Sequence, residues 1–282
     1  SLHSFPTRRS SDLKRVAHDA LLSIVAATTR GQVAVITSDA QILPLEVVDL
    51  PALPDTADSP SLKATVAVKD FLHLAPDTSV VGVVDFGSTV ALVTALGKVK
   101  RLVIEPGLKA AIGMDPKDRL VAAFGCEPTD DVVFISSAGQ LLRSAVDTVP
   151  VQGAGARGVA GMRLKDGAHV VAAGAATSTS SVVTVAGSAA AATSLKVTPM
   201  DAFPRTGRDG VGVRCHRLLA AEAALIGGWV GQVPLACSPG GKPLPLPEPD
   251  SRRDASGAKS PAAKILVGSA VSGRAESGVL FS

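Results

Sequence analysis

Arginine and lysine are the residues whose spacing in this chain could do chemistry. Gly97 and Arg101 are four apart, as are Gly139 and Arg143, so each arginine follows a hairpin turn at the same distance. Lys98 and Lys100 accompany the first of them. Arg157, Arg163, Arg205, Arg208, Arg214 and Arg217 fall on glycine-containing loops and the short apolar runs after them. A guanidinium can grip a phosphate with two parallel hydrogen bonds, and a row of such groups holds a nucleic-acid backbone without reading bases. The competing reading of each is a solvated strand face.

Other chemistries lack their residues. There is no tyrosine among 282 residues, so no phenol is available as nucleophile or acid. With one Trp and seven Phe, base-stacking platforms are scarce too. His18, His73, His169 and His216 show no ligand spacing, and no catalytic triad or acid–base carboxylate pair is visible. Cys126, Cys215 and Cys237 are far apart and odd in number, which suits buried free thiols in a reducing compartment. Gly97-Lys98 and Gly241-Lys242 lack the Ser or Thr of a nucleotide-binding P-loop. Gly153-Ala-Gly155-Ala-Arg-Gly158 spells a dinucleotide fingerprint, but Pro150 precedes it and strand-like sequence follows. The fingerprint needs a helix there. These glycines instead suit a backbone crossing between structural units.

The net charge is +3, unevenly spread. Residues 39–78 hold two Lys and seven acids, a net of −5, whereas residues 134–217 hold nine Lys or Arg and four acids, a net of +5. The basic stretch suggests a surface facing a polyanion. The longest uncharged stretches are rich in Ala, Ser, Thr and Gly, which argues against a membrane span.

The elements positioning these residues form a repeat. Short β-branched runs begin at Val33, Val90, Val132, Val182 and Val233. Most lead through a small-residue turn to a second apolar run, the pattern of a hairpin. A further strand is expected before each: Leu21–Val25, Val80–Val84, Leu120–Phe124, His169–Ala173 and Leu225–Val230. Gly158-Val159-Ala-Gly-Met-Arg163-Leu164 matches Gly212-Val213-Arg-Cys-His-Arg217-Leu218 at an offset of 54 residues, and Pro150 and Pro204 share that offset. Units of this size with about four strands are propeller blades, each burying its neighbour's apolar face; a two-sheet sandwich is the alternative. Residues 51–78 read as a Pro- and Asp-containing insertion with a short helix over 66–74.

These segments carry a family resemblance. Val132–Arg143, Val151–Leu164 with Lys165-Asp-Gly167, Lys196-Val-Thr-Pro199 and Phe203–Arg217 resemble the C-terminal domain of the A subunit of bacterial type IIA topoisomerases, DNA gyrase and topoisomerase IV, in their actinobacterial branch. The likeness runs from about residue 16 to about 254. It implies an all-β pinwheel, a propeller-like disc with swapped strands, here with about five of a nominal six blades. It also implies duplex DNA bent around a basic perimeter, with Lys100, Arg101 and Arg143 at the family's basic hairpin positions. The partners it implies are the topoisomerase core and the ATPase B subunit, with no membrane and a cytoplasmic, nucleoid-associated setting. No cofactor is expected in this chain, since ATP and Mg would bind other parts of the holoenzyme. The cleaving tyrosine would likewise lie elsewhere. Gln152–Gly158 keeps the first Gln, two Gly and one basic position of gyrase's Q-R-R-G-G-K-G box, but in a later blade and without the paired Arg. A topoisomerase IV-like protein and a gyrase whose box lies upstream both fit. A protein-interaction propeller without a nucleic-acid role is the alternative function.

The expected organisation is a non-native, adapter-like segment at 1–13, preceding an N-terminally truncated pinwheel at 14–254. Residues 255–282 would form a linker and tail, with or without one closing strand at Ile265-Leu-Val267.

Overall fold

A computed structural model describes residues 20–50, 67–165 and 167–269. The 1–13 segment and most of the acidic insertion lie outside them. Five small antiparallel sheets follow one another along the chain. Each is built on a hairpin: β1 (Gln32–Thr37) with β2 (Ile42–Glu46), β4 (Thr89–Thr94) with β5 (Lys98–Val103), β7 (Asp131–Ser136) with β8 (Gln140–Ala145), β11 (Ser181–Gly187) with β12 (Ala192–Pro199), and β15 (Pro234–Cys237) with β16 (Pro243–Leu244).

The strands preceding the later hairpins exist, but they pair backwards. β3 (Val80–Asp85) joins β1, β6 (Leu120–Gly125) joins β4, β10 (Val170–Ala176) joins β7, and β14 (Ala224–Gly231) joins β11. Each therefore completes the preceding blade. The expected strand at Leu21–Val25 is absent. Only Leu21 pairs, with Ser269 at the end of β18 (Leu266–Ser269), while Leu22 and Ile24 are exposed.

A fourth strand comes from farther along. After β8 the chain turns through Val146–Thr148, runs back over the second blade and adds β9 (Val159–Ala160) to β5. After β12 it turns through Met200–Ala202 and adds β13 (Val213–Arg214) to β8. A third such strap adds β17 (Ala258–Lys259) to β12. In the first blade Ala110 bridges Gln41 in the same place. Sheet structure thus continues past residue 254 through β17 and β18, the latter covering most of the expected closing strand.

The cores lie between blades. Ile36, Leu92 and Leu120 fill the first interface, and Val93, Phe134 and Met162 the second. Ile135, Leu141 and Phe203 fill the third, and Val183, Leu195 and Trp229 the fourth. Strand alternation puts half of each hairpin on each face, so central strands such as β1, β4 and β7 read as uninterrupted apolar runs. The outer face of the first blade is covered instead by Val25, Phe71 and Leu72, the last two from helix α1 (Val68–Phe71) and its end. This helix falls inside the expected 66–74. The innermost strands β3, β6, β10, β14 and β18 pack in succession. The straps therefore form the outer edge, and the architecture is a five-bladed β-pinwheel.

Candidate nucleic-acid interface

The straps carry most of the predicted basic residues, and glycines set their course. Gly158 and Gly212 have φ of +76° and +78°, and a Cβ on them would sit 2.7 Å from Val99 O and 2.3 Å from Leu141 O. The 54-residue offset thus marks where a strap is pressed onto the outer strand of the preceding hairpin.

Arg157 and Arg163 flank β9 and are mostly exposed. Arg157 Nη1 lies 3.0 Å from Asp115, whose other oxygen takes a 2.7 Å bond from Lys98 Nζ. The hydrogen bond and charge of Lys98, with Arg157 behind them, hold the Asp115 carboxyl below its ordinary range. Arg163 meets Asp209 of the next strap at 3.1 Å. Arg208 donates to Thr148 O (2.8 Å) and Ala160 O (2.7 Å), tying its strap to β9. Arg214 lies on β13 and Arg217 follows it, both exposed. These side chains occupy the outer edges of the second and third blades.

Two predicted positions are structural. Lys100 is completely buried. β5 alternates, so Lys100 points inward while Arg101 points to the opposite face. Its ammonium donates to Gly153 O (2.7 Å), Ala154 O (3.0 Å) and Ala156 O (3.2 Å), so it faces no solvent-borne partner. The expected DNA contact at Lys100 is therefore corrected. The same geometry explains why Gly153–Gly158 is no dinucleotide cradle: three of its carbonyls point at a cation, the opposite polarity to a phosphate nest. Arg143 is also corrected. It pairs through Nε with the buried Asp131 and donates through Nη1 to Met200 O and Phe203 O, both 3.1 Å, with its side chain 15% exposed. Asp131 pairs with Arg205 as well, which keeps about half its own surface exposed. Arg101 is half-buried and donates to Val149 O at 2.7 Å, the residue equivalent to Phe203 by the 54-residue offset. Hairpin arginines thus seize the start of the straps that follow β8 and β12, from β5 and β8 respectively.

Several edge cations escaped the sequence reading. Lys109 lies beside the Ala110 bridge, Arg252 and Arg253 sit on the last strap, and Lys259 occupies on β17 the place that Arg214 takes on β13; all are exposed. Register alone reveals them, because the last strap lies in a Pro-rich stretch that reads as linker. Arg252 is paired with Asp250 at 2.9 Å. Among the described residues, no group of three His, Cys, Asp or Glu could hold a metal ion, and no helix is long and apolar enough to cross a membrane.

Comparison with known proteins agrees with this geometry. Residues 130–176 and 194–218 match the family model for the DNA gyrase C-terminal domain, beta-propeller. Over 134 residues, 45% of this chain, the sequence is 33% identical to the A subunit of DNA gyrase from Pseudomonas aeruginosa. The chain spans 14% of that relative's length. The C-terminal domain of DNA topoisomerase IV superposes with a TM-score of 0.65 at 16% identity, covering 85% of this chain and 79% of that one. A DNA gyrase A C-terminal domain gives 0.64 at 15% identity, covering 91% and 92%. The fold is that of these β-pinwheels. Over part of its sequence and most of its fold, the chain is similar to the C-terminal domains of gyrase and topoisomerase IV A subunits.

Proposed function

We propose that this chain binds and bends duplex DNA around its outer edge, as the C-terminal domain of an ATP-dependent type IIA topoisomerase A subunit. The observation that carries this reading is the recurrence of exposed cations on the outer straps of four consecutive blades: Lys109, then Arg157 and Arg163, then Arg214 and Arg217, then Arg253 and Lys259. A row of exposed cations of this kind attracts a polyanionic backbone. Contacts of this kind supply affinity and path, with no base readout.

The chemistry of strand passage then belongs to other parts of the enzyme. With no tyrosine the chain has no phenol to cleave DNA. ATP and Mg would be handled by the core and the ATPase B subunit, in a cytoplasmic holoenzyme. The role of this domain is to fix where the duplex lies.

A salt titration with duplex DNA tests the reading. Log affinity is expected to fall linearly with log salt, by about 0.9 for each phosphate neutralised, with little dependence on sequence. Salt-independent binding, or none by the folded chain, refutes it.

A further inference from the structure

The interior holds two ammonium groups that the DNA reading leaves unused. Lys100 and Lys196 stand at equivalent register positions, Lys100 opposite Leu92 on β4 and Lys196 opposite Thr184 on β11. Both are buried, at 0% and 2% exposure. Lys100 Nζ is surrounded by the carbonyls of Gly153, Ala154 and Ala156. Lys196 Nζ lies within hydrogen-bond distance of four carbonyls, Arg253 O (2.6 Å), Arg252 O (2.9 Å), Cys215 O (3.1 Å) and Ala255 O (3.3 Å), so its three protons are shared among them. In each case a strap folds backbone acceptors around the ammonium just before adding its strand to the lysine's own sheet, and Cys215 of the preceding strap adds one more for Lys196.

We propose that Lys100 and Lys196 are positioning residues, internal cations that clamp the straps onto the outer edge and so hold the edge arginines in place for the duplex. The inference rests on the DNA-binding reading for its functional half only.

The physical argument is one of matched valence. A loop that turns several carbonyls inward must satisfy them, because a buried unpaired acceptor costs about 1–3 kcal/mol. An ammonium on a flexible stem offers three donors arranged about one point, whereas a guanidinium offers a planar fork. Burial lowers the Lys100 ammonium to about 8 and lowers that of Lys196 too. Lys100 therefore remains charged at neutral pH, and its bonds are charge-assisted. The third blade supports the assignment by contrast. Its equivalent residue is Leu142, opposite Phe134, and its strap is held instead by the Asp131 ion pairs and by Arg143. Each of the three straps thus has an internal cationic anchor, of two designs, and the second blade's strap is held by Arg101 as well. The clamped backbone is the one that bears Arg157 in one blade and Arg252 and Arg253 in another.

The test is Lys100→Met, which keeps the stem and removes the donors. Hydrogen exchange at Ala156 N, bonded to Gly153 O at 3.1 Å, and at Gly113 N, bonded to Ala156 O at 3.1 Å, reports the strap. Both amides are expected to exchange about tenfold faster or more, with β7 unchanged, and duplex affinity at fixed salt is expected to drop severalfold. Lys100→Arg is expected to behave like the Met variant, since charge without the right donor geometry does not fill the cage. Unchanged exchange overturns the clamp. Faster exchange with full DNA affinity overturns the positioning role. If the wild-type chain binds no duplex, the DNA reading fails while exchange still decides the clamp. Should Lys100→Met not fold, Lys196→Met puts the same question to residues 252–255, read at Ala255 N, which bonds Arg252 O at 3.0 Å.

Discussion

Acidification should loosen the junction between the third and fourth blades through one residue, His216. Its ring is 2% exposed. Nε2 accepts a 3.1 Å hydrogen bond from Gly257 N, so Nδ1 carries the proton and donates it to Thr184 Oγ1 at 2.9 Å. Ser194 Oγ lies 3.2 Å from Nε2 and donates onward to Glu222. Burial, opposed by the Glu222 charge and aided by that of Lys196, pushes the imidazole down to about 4. The unfolded histidine titrates near 6.5, so between pH 6.5 and 4 the unfolded chain takes up a proton that the folded chain refuses. Stability is therefore lost as pH falls through this window, and the loss levels off below 4. At 1.36 kcal/mol per pH unit, the full effect is about 3 kcal/mol, most of it already present at pH 4.5. The assay compares wild type with His216→Gln, which does not titrate, at pH 7.5 and pH 4.5. Because blades in a repeat can unfold singly, exchange at Val183 and Val197 on the β11–β12 pair is followed beside urea unfolding. The wild type should lose about 2–3 kcal/mol more than the variant between the two pH values. Equal losses would refute the assignment of a neutral buried imidazole. Glu222 acts in the same direction, but only from about its ordinary value of 4.5 downward, at the acid end of the window. Burial raises its carboxyl, but the hydrogen bonds from Leu219 N, Ser194 and Thr193 outweigh this and leave it below its ordinary range.

Other perturbations probe the straps and the edge. Gly212→Ala adds a Cβ 2.3 Å from Leu141 O at a φ of +78°, and thermal unfolding should show a loss of about 2 kcal/mol or more. Asp131→Asn strips Arg143 and Arg205 of their shared counter-charge and should cost about 3–5 kcal/mol in urea unfolding, since Asp131 and most of Arg143 are desolvated. Arg157→Ala with Arg163→Ala should weaken all duplexes alike and reduce the salt slope by about one per lost phosphate contact, with the unfolding midpoint nearly unchanged. Arg143→Ala should do the reverse, lowering stability while leaving the salt slope intact.

The hairpins were legible because their central strands are buried on both faces and read as unbroken β-branched runs, as in Val132-Val-Phe-Ile-Ser136. The 54-residue offset was legible because Gly158 and Gly212 meet the same steric demand. The swapped pairing was legible only through the family resemblance. β9 is two residues long and its partner Lys98-Val99 lies about sixty residues upstream, so no local pattern joins them. The strand before each hairpin was visible, but nothing local in the sequence shows that it pairs with the hairpin behind it. Lys100 belongs to the interior although it sits among basic residues beside a turn. Period-two alternation separates Lys100 from Arg101 and sets it opposite Leu92, a sign of the interior that the sequence did contain. Arg252, Arg253 and Lys259 had no such sign, because Pro and Gly around them hide the strap.

The cations of this domain therefore include two populations that differ in their sensitivity to salt. Lys100, Lys196 and Arg143 are held by carbonyls and a buried carboxylate, out of reach of mobile ions. Arg157, Arg163, Arg214 and Arg217 stand in solvent. At about 1 M salt the screening length is near 3 Å, which suppresses attraction between exposed arginines and phosphates but scarcely touches desolvated pairs. Raising salt should release bound duplex completely while Ala156 N and Gly113 N keep their protection from exchange. The division would be wrong if the straps opened over the same salt range in which the DNA departs. The internal charges would then be screened like the external ones, and the edge would lose its shape together with its ligand.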